Sequence, residues 1–251
     1  MTQGNEQPRG LVAADVGLTG HGGETIDGYL ARPLGDGPFP GVVVIHEAFG
    51  LVQHTRELAH RFAAAGYLAI APNLYSRMAP FDPTEMPAVM QAMNGLPDEH
   101  ALGDLGSAID YLRALPESNG KIGAIGHCSG GRHTMLLAAN ANIDAAVDCY
   151  GGGVVTEDRT DARPRPVVDM VESIGCPVLG LFGETDRNPN PEQVAALDAA
   201  LTQHGKAHEF HTYPAPIGHG FFADYRPSYS QEAAVDGWSR IFEFFGRHLR
   251  P

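Results

Sequence analysis

From residue 41 onward, short β-branched apolar runs alternate with segments of helical period, and that alternation limits what the chain can fold into. Residues 41–45 form a continuous apolar run, the pattern of a strand covered on both faces. Residues 55–65 carry Leu58, Phe62 and Ala65 at helical steps, and Gly66 supplies a C-terminal stop. Further strands are predicted at 67–71, 121–126, 145–150, 177–183 and 209–213. Helices are predicted through Ala101, Leu105, Ala108, Ile109 and Leu112, from about Ser129, and over 191–204. A last helix carries the stripe Trp238, Ile241, Phe242 and Phe245. The pattern is α/β: a mostly parallel central sheet with helices on both faces and functional loops at the carboxyl ends of its strands. Residues 24–33 read as an edge strand. Residues 78–97, rich in Met and Pro without a clean period, read as an irregular connection able to cover a cleft.

With 251 residues, the chain is long enough for one large core, so a flexible tip at 1–10 and a single domain at 11–251 are expected. A formal charge of −13, with no run of Lys or Arg, argues against nucleic acid or an anionic membrane as partner. The N-terminal residues carry no basic stretch leading into an apolar one, and no segment approaches the length of a membrane span, so a cytoplasmic location is expected. Three cysteines, Cys128, Cys149 and Cys176, are too few and odd in number for a disulfide framework.

The strongest chemical signal is Gly126-His127-Cys128-Ser129-Gly130-Gly131, where strand 121–126 turns into a helix. This is the G-x-C-x-G form of a nucleophile elbow, a strained turn that lifts the nucleophile above the sheet. Glycines two before and two after the nucleophile let the chain pass closely where a Cβ would obstruct it. That register selects Cys128 over Ser129, whose flanking positions would be His127 and Gly131. A thiol there also faces a helix N-terminus, whose dipole favours the thiolate. The competing reading is an inert buried cysteine, the fate expected of Cys149 and Cys176.

A cysteine nucleophile needs a base, and on this kind of sheet the acid and then the histidine follow the nucleophile in the chain. Asp186 follows strand 177–183 in a loop, and His219 follows strand 209–213, both at carboxyl ends. Glu184 is the nearest competitor for the acid. His46-Glu47 begins a zinc-binding pattern, but the metalloprotease form needs a histidine at position 50, which is Gly. No glycine-rich nucleotide loop occurs, so neither metal nor cofactor is expected.

Six motifs in order make the chain resemble the dienelactone hydrolase (carboxymethylenebutenolidase) family from roughly Asp27 to His248. They are Ile45-His46-Glu47-Ala48-Phe49-Gly50, Pro72-Asn73-Leu74-Tyr75-Ser76-Arg77, the elbow, Cys149-Tyr150-Gly151, the Asp186 loop and His219-Gly220-Phe221. The resemblance implies an α/β-hydrolase fold that opens a small ester or lactone with Cys128, His219 and Asp186. It implies that Glu47 contacts the resting thiol and is displaced as substrate binds; the alternative is a solvent-facing Glu47. It places a backbone N–H near Ala48 with that of Ser129 in an oxyanion hole, and Tyr150 in the site. It also implies that Arg77 holds a substrate carboxylate, against the alternative that Arg77 ties down residues 78–97 through an acid such as Asp82. The family's second arginine lies four residues after the histidine, where this chain has Ala223, and Arg226 is the candidate substitute. Asn73 and Ser129 also depart from the family's usual residues, which leaves the substrate open. A broader carboxylesterase or thioesterase, or a catalytically silent binding module on the same fold, are the other readings. The partner is then a small molecule, anionic if a short-range cation holds it, and the chain a monomer or small homo-oligomer.

Overall fold

Eight strands form one sheet in the order β1-β2-β4-β3-β5-β6-β7-β8 in a computed structural model that describes residues 10–250. The expected tip at 1–10 therefore lies, Gly10 apart, outside the described residues. The strands are β1 (Leu11–Thr19), β2 (Thr25–Pro33), β3 (Phe39–Ile45), β4 (Leu68–Pro72), β5 (Ser118–His127), β6 (Ala145–Cys149), β7 (Val178–Gly183) and β8 (His208–Tyr213). β1–β2 and β2–β4 pair antiparallel, and every pairing from β4 through β3 to β8 is parallel. Among the described residues six α-helices accompany them, five between strands and the last after β8: α1 (Gln53–Ala64), α2 (Met86–Gly95), α3 (Asp98–Ala114), α4 (Ser129–Asn140), α5 (Pro191–Gln203) and α6 (Gln231–Leu249).

The uninterrupted apolar run of β3 is explained by its two faces. Val43 and Ile45 enter a core shared with α3, α4 and α5, while Val42 and Val44 enter a second core shared with α1 and α6. In the second core Phe62 of α1 meets Trp238 edge-on at 5.7 Å and packs on Phe245. Each such side chain removed from water stabilises the fold by about 1.5–3 kcal/mol. The predicted α6 stripe holds at Trp238, Ile241 and Phe245, but Phe244 and Leu249 complete it and Phe242 is only partly buried.

Two expectations are corrected. The segment read as an edge strand is β2, which has neighbours on both sides; the edge is β1, whose mostly exposed alternation gave a weak apolar signal. The supposedly irregular 78–97 contains α2, which presents Met86, Val89, Met90 and Met93 at steps of 3, 1 and 3. Among the described residues no helix is long and apolar enough to cross a membrane. Because β3 to β8 run parallel, the residues just past their carboxyl ends gather at one rim of the sheet.

Candidate active site

Cys128 sits between β5 and α4 with φ 56° and ψ −121°, a conformation that costs a non-glycine residue about 1–3 kcal/mol. The surroundings enforce it. A Cβ on Gly126 would overlap the Gly130 carbonyl, and one on Gly130 would overlap the Ile45 carbonyl and lie 2.7 Å from that of His46. The Cys128 N–H donates to the Cys149 carbonyl at 3.0 Å, pinning the turn to β6. Ser129, the first residue of α4, keeps its N–H free of any intrahelical acceptor. Ala48 and Ser129 line the same cavity as Cys128.

His219 and Asp186 arrive from the loops after β8 and β7. His219 Nδ1 donates to Asp186 Oδ2 at 2.8 Å, while Asp186 Oδ1 accepts from the Asn188 N–H at 2.9 Å. Asp186 is buried. Burial opposes a charge on His219, yet its hydrogen bonds to Asp186 and Cys128, with the negative charges of both, lift its pKa to about 10. Glu184 is exposed and accepts from the Ala215 N–H at 2.7 Å, so the histidine is given to Asp186.

Glu47 is buried, not solvent-facing. Its Oε2 accepts from the Tyr225 hydroxyl at 3.2 Å, and its Oε1 lies 3.7 Å from Arg226 Nη1. The segment that carries it is fixed by His46, whose Nδ1 donates to the Glu47 carbonyl at 2.6 Å and whose Nε2 accepts from the Leu74 N–H at 3.1 Å. Burial pushes the His46 pKa down to about 4, so the ring stays neutral. Tyr150 lies behind the cavity wall with φ 44°, its ring 5.0 Å from that of His219. Arg226 lines the cavity and lies over the Phe49 ring.

Arg77 is not brought to this site. It donates to Asp104 Oδ2 at 2.7 Å and Oδ1 at 3.0 Å, to Glu24 Oε2 at 2.5 Å and to the His21 carbonyl at 2.9 Å. Asp104 is fully buried in α3, and the guanidinium ties the root of residues 78–97 to the first hairpin. Neither Asp82 nor the cavity takes part.

The cavity encloses about 970 Å³. Its floor carries Cys128, Ser129, Asp186 and His219; its roof is α2 together with residues 152–166. Sequence reasoning expected residues 78–97 to cover a cleft but not as a helix, and it missed residues 152–166 and the buried pair Arg132–Asp98, bidentate at 2.7 and 2.8 Å. The 3-1-3 spacing of Met86, Val89, Met90 and Met93 was the signal for α2; residues 152–166 carry no period. Among the described residues no three His, Cys, Asp or Glu side chains converge as a metal site would require.

A sequence profile described as "Dienelactone hydrolase family" matches residues 26–249. An Escherichia coli O157:H7 protein named "Putative carboxymethylenebutenolidase" is 39% identical over 236 residues, covering 90% of this chain and 84% of that one. A crystal structure from Klebsiella pneumoniae, described as a "Putative Dienelactone Hydrolase", superposes with a TM-score of 0.87 at 35% identity, covering 95% of this chain and all of that one. A dienelactone hydrolase-like promiscuous phosphotriesterase from metagenomic libraries superposes with a TM-score of 0.79 at 26% identity, covering 95% of this chain and 99% of that one.

Proposed function

The chain belongs to the dienelactone hydrolase family, and from that premise we propose that it hydrolyses small esters or lactones with Cys128 as nucleophile, His219 as base and Asp186 as the acid that orients it. The observation that carries the proposal is one imidazole that is bonded to Asp186 at 2.8 Å and shares the cavity with Cys128, whose negative charge helps to raise the imidazole's pKa. With Nδ1 committed to the carboxylate, Nε2 is the atom that exchanges a proton with sulfur.

In this reading the thiolate attacks the carbonyl carbon, and the oxygen that becomes negative is held by the N–H groups of Ser129 and Ala48. Collapse breaks the C–O bond, His219 Nε2 protonates the departing oxygen, and the acyl group remains on sulfur as a thioester. Water then attacks the thioester while His219 takes its proton, and the acid leaves with the thiolate restored. Tyr225 and Arg226 beside Glu47 support a resting state in which the thiol turns to His219 rather than to that carboxylate. A cavity at the upper end of the usual range of about 300–1,000 Å³ favours esters larger than a single lactone ring.

The test is turnover of p-nitrophenyl butyrate and of dihydrocoumarin by wild type and Cys128→Ala. Activity should fall by about 10⁴-fold or more with the melting temperature kept. A folded Cys128→Ala protein that still turns over either substrate would remove the proposal.

A further inference from the structure

Although the chain carries a formal charge of −13, Arg132, Arg159, Arg163, Arg165, Arg187 and Arg226 all line the one cavity. Four of them have evident partners. Arg132 grips Asp98, Arg159 reaches Asp169 at 3.3 Å, Arg165 donates to the Asp169 carbonyl and Arg226 faces Glu47. Arg187 is exposed and solvated. Arg163 differs from all of these. Its Nη2 donates to the neutral Met93 carbonyl, its Nε is buried without an acceptor, and among the described residues no carboxylate lies within ion-pair distance of it. Burial and then the nearby Arg132 disfavour its charge, and the negative charges of Asp98, which Arg132 already grips, and of Tyr75 offset this only in part. A cation half-buried in that way is costly unless an anion completes it.

We propose that Arg163 is the specificity-determining residue of this site, holding an anionic group at the far end of the substrate's acyl chain while Met86, Met90 and Met93 cover the apolar span between. This rests on the hydrolase reading above. The side of the site follows from the leaving oxygen, which must face His219 to be protonated. His219 comes from beyond β8, whereas Arg163 lies near Arg132, Asp98 and Tyr75, and Tyr75 follows β4. Cys128, at the end of β5, stands between them, so the acyl chain runs away from His219 toward Arg163. Arg132 is one helical turn past Cys128, and its side chain points on to Asp98. The Arg132 guanidinium is therefore on the order of 10 Å from the thiol, one helix pitch plus the reach of a side chain, and the anchor Arg163 lies beside it. A carboxylate on an acyl chain of that length fits the geometry.

The test compares the p-nitrophenyl monoester of suberic acid with its neutral methyl ester on wild type, Arg163→Gln and Arg163→Lys. For Arg163→Gln the anionic-to-neutral ratio of kcat/KM should fall about tenfold or more, through KM, as expected for loss of a charge-assisted hydrogen bond. Arg163→Lys, which keeps the charge, should recover part of it. A ratio held within twofold, or equal losses on both esters, overturns the proposal. Calorimetry of suberate on Cys128→Ala, with and without Arg163→Gln, reads the anchor without turnover: a tenfold weaker Kd supports it and an unchanged Kd overturns it. If wild type hydrolyses neither ester, the hydrolase reading fails by itself, and the suberate Kd still decides the role of Arg163.

Discussion

At the floor of the cleft, Gly126, Gly130 and the positive φ of Cys128 leave the backbone a single course, and the Cys128 N–H is tied to β6. The roof is held far more lightly. The Asp98 N–H donates to the Ala162 carbonyl at 2.8 Å, Arg163 donates to the Met93 carbonyl, and Met86 and Met90 stay largely exposed. Reacting atoms need fixed positions, which packed strand ends and glycine contacts supply, whereas a binding wall made of flexible methionine and arginine side chains can be reshaped at little cost to the fold. Floor substitutions should therefore act on chemistry or folding, and roof substitutions on substrate choice.

The largest expected effect tests the floor. His219→Ala should lower kcat by about 10³–10⁴-fold, and Asp186→Asn by less, because the first removes proton transfer and the second only its orientation. Steady-state rates on p-nitrophenyl butyrate decide this. A silent Asp186→Asn beside a severe Glu184→Gln would show that the acid is misassigned.

Arg77 stands where floor gives way to roof, and its loss should act on stability alone. Arg77→Ala leaves Asp104 buried without its cation, a change worth about 3 kcal/mol. Chemical denaturation should show a lower midpoint, with the KM ratio of the anionic to the neutral suberate ester unchanged. A selective loss on the anionic ester would return Arg77 to the substrate site and break the contrast with Arg163.

The smallest expected effect is on the roof. Met90→Ser, at a side chain 42% exposed, should raise KM for p-nitrophenyl octanoate about two- to threefold, consistent with loss of less than about 1 kcal/mol of apolar contact. kcat and the melting temperature should hold. A fall in kcat to the level of the His219 variant would mean that the roof positions the reacting atoms after all.

Local signals made the floor legible. Strands β3 to β8, the helices between them other than α2, and the six-residue elbow each announce themselves over a few neighbouring residues, and the chain order of Cys128, Asp186 and His219 places all three at one rim of a parallel sheet. The strand β1 and helix α2 were harder, because an exposed edge carries little apolar period and the prolines around α2 obscure a spacing that is nonetheless helical. The two arginines mark where sequence stops. Arg77 lies in a motif that suggests substrate binding, yet its partners are 27 residues ahead and 53 behind, and they consume its charge. Arg163 lies in a stretch without period, and only the approach of α2 and α4 leaves it facing the cavity unpaired. A guanidinium on a long flexible stem takes its role from whichever carboxylate the tertiary fold brings within reach, and no local pattern records that distance.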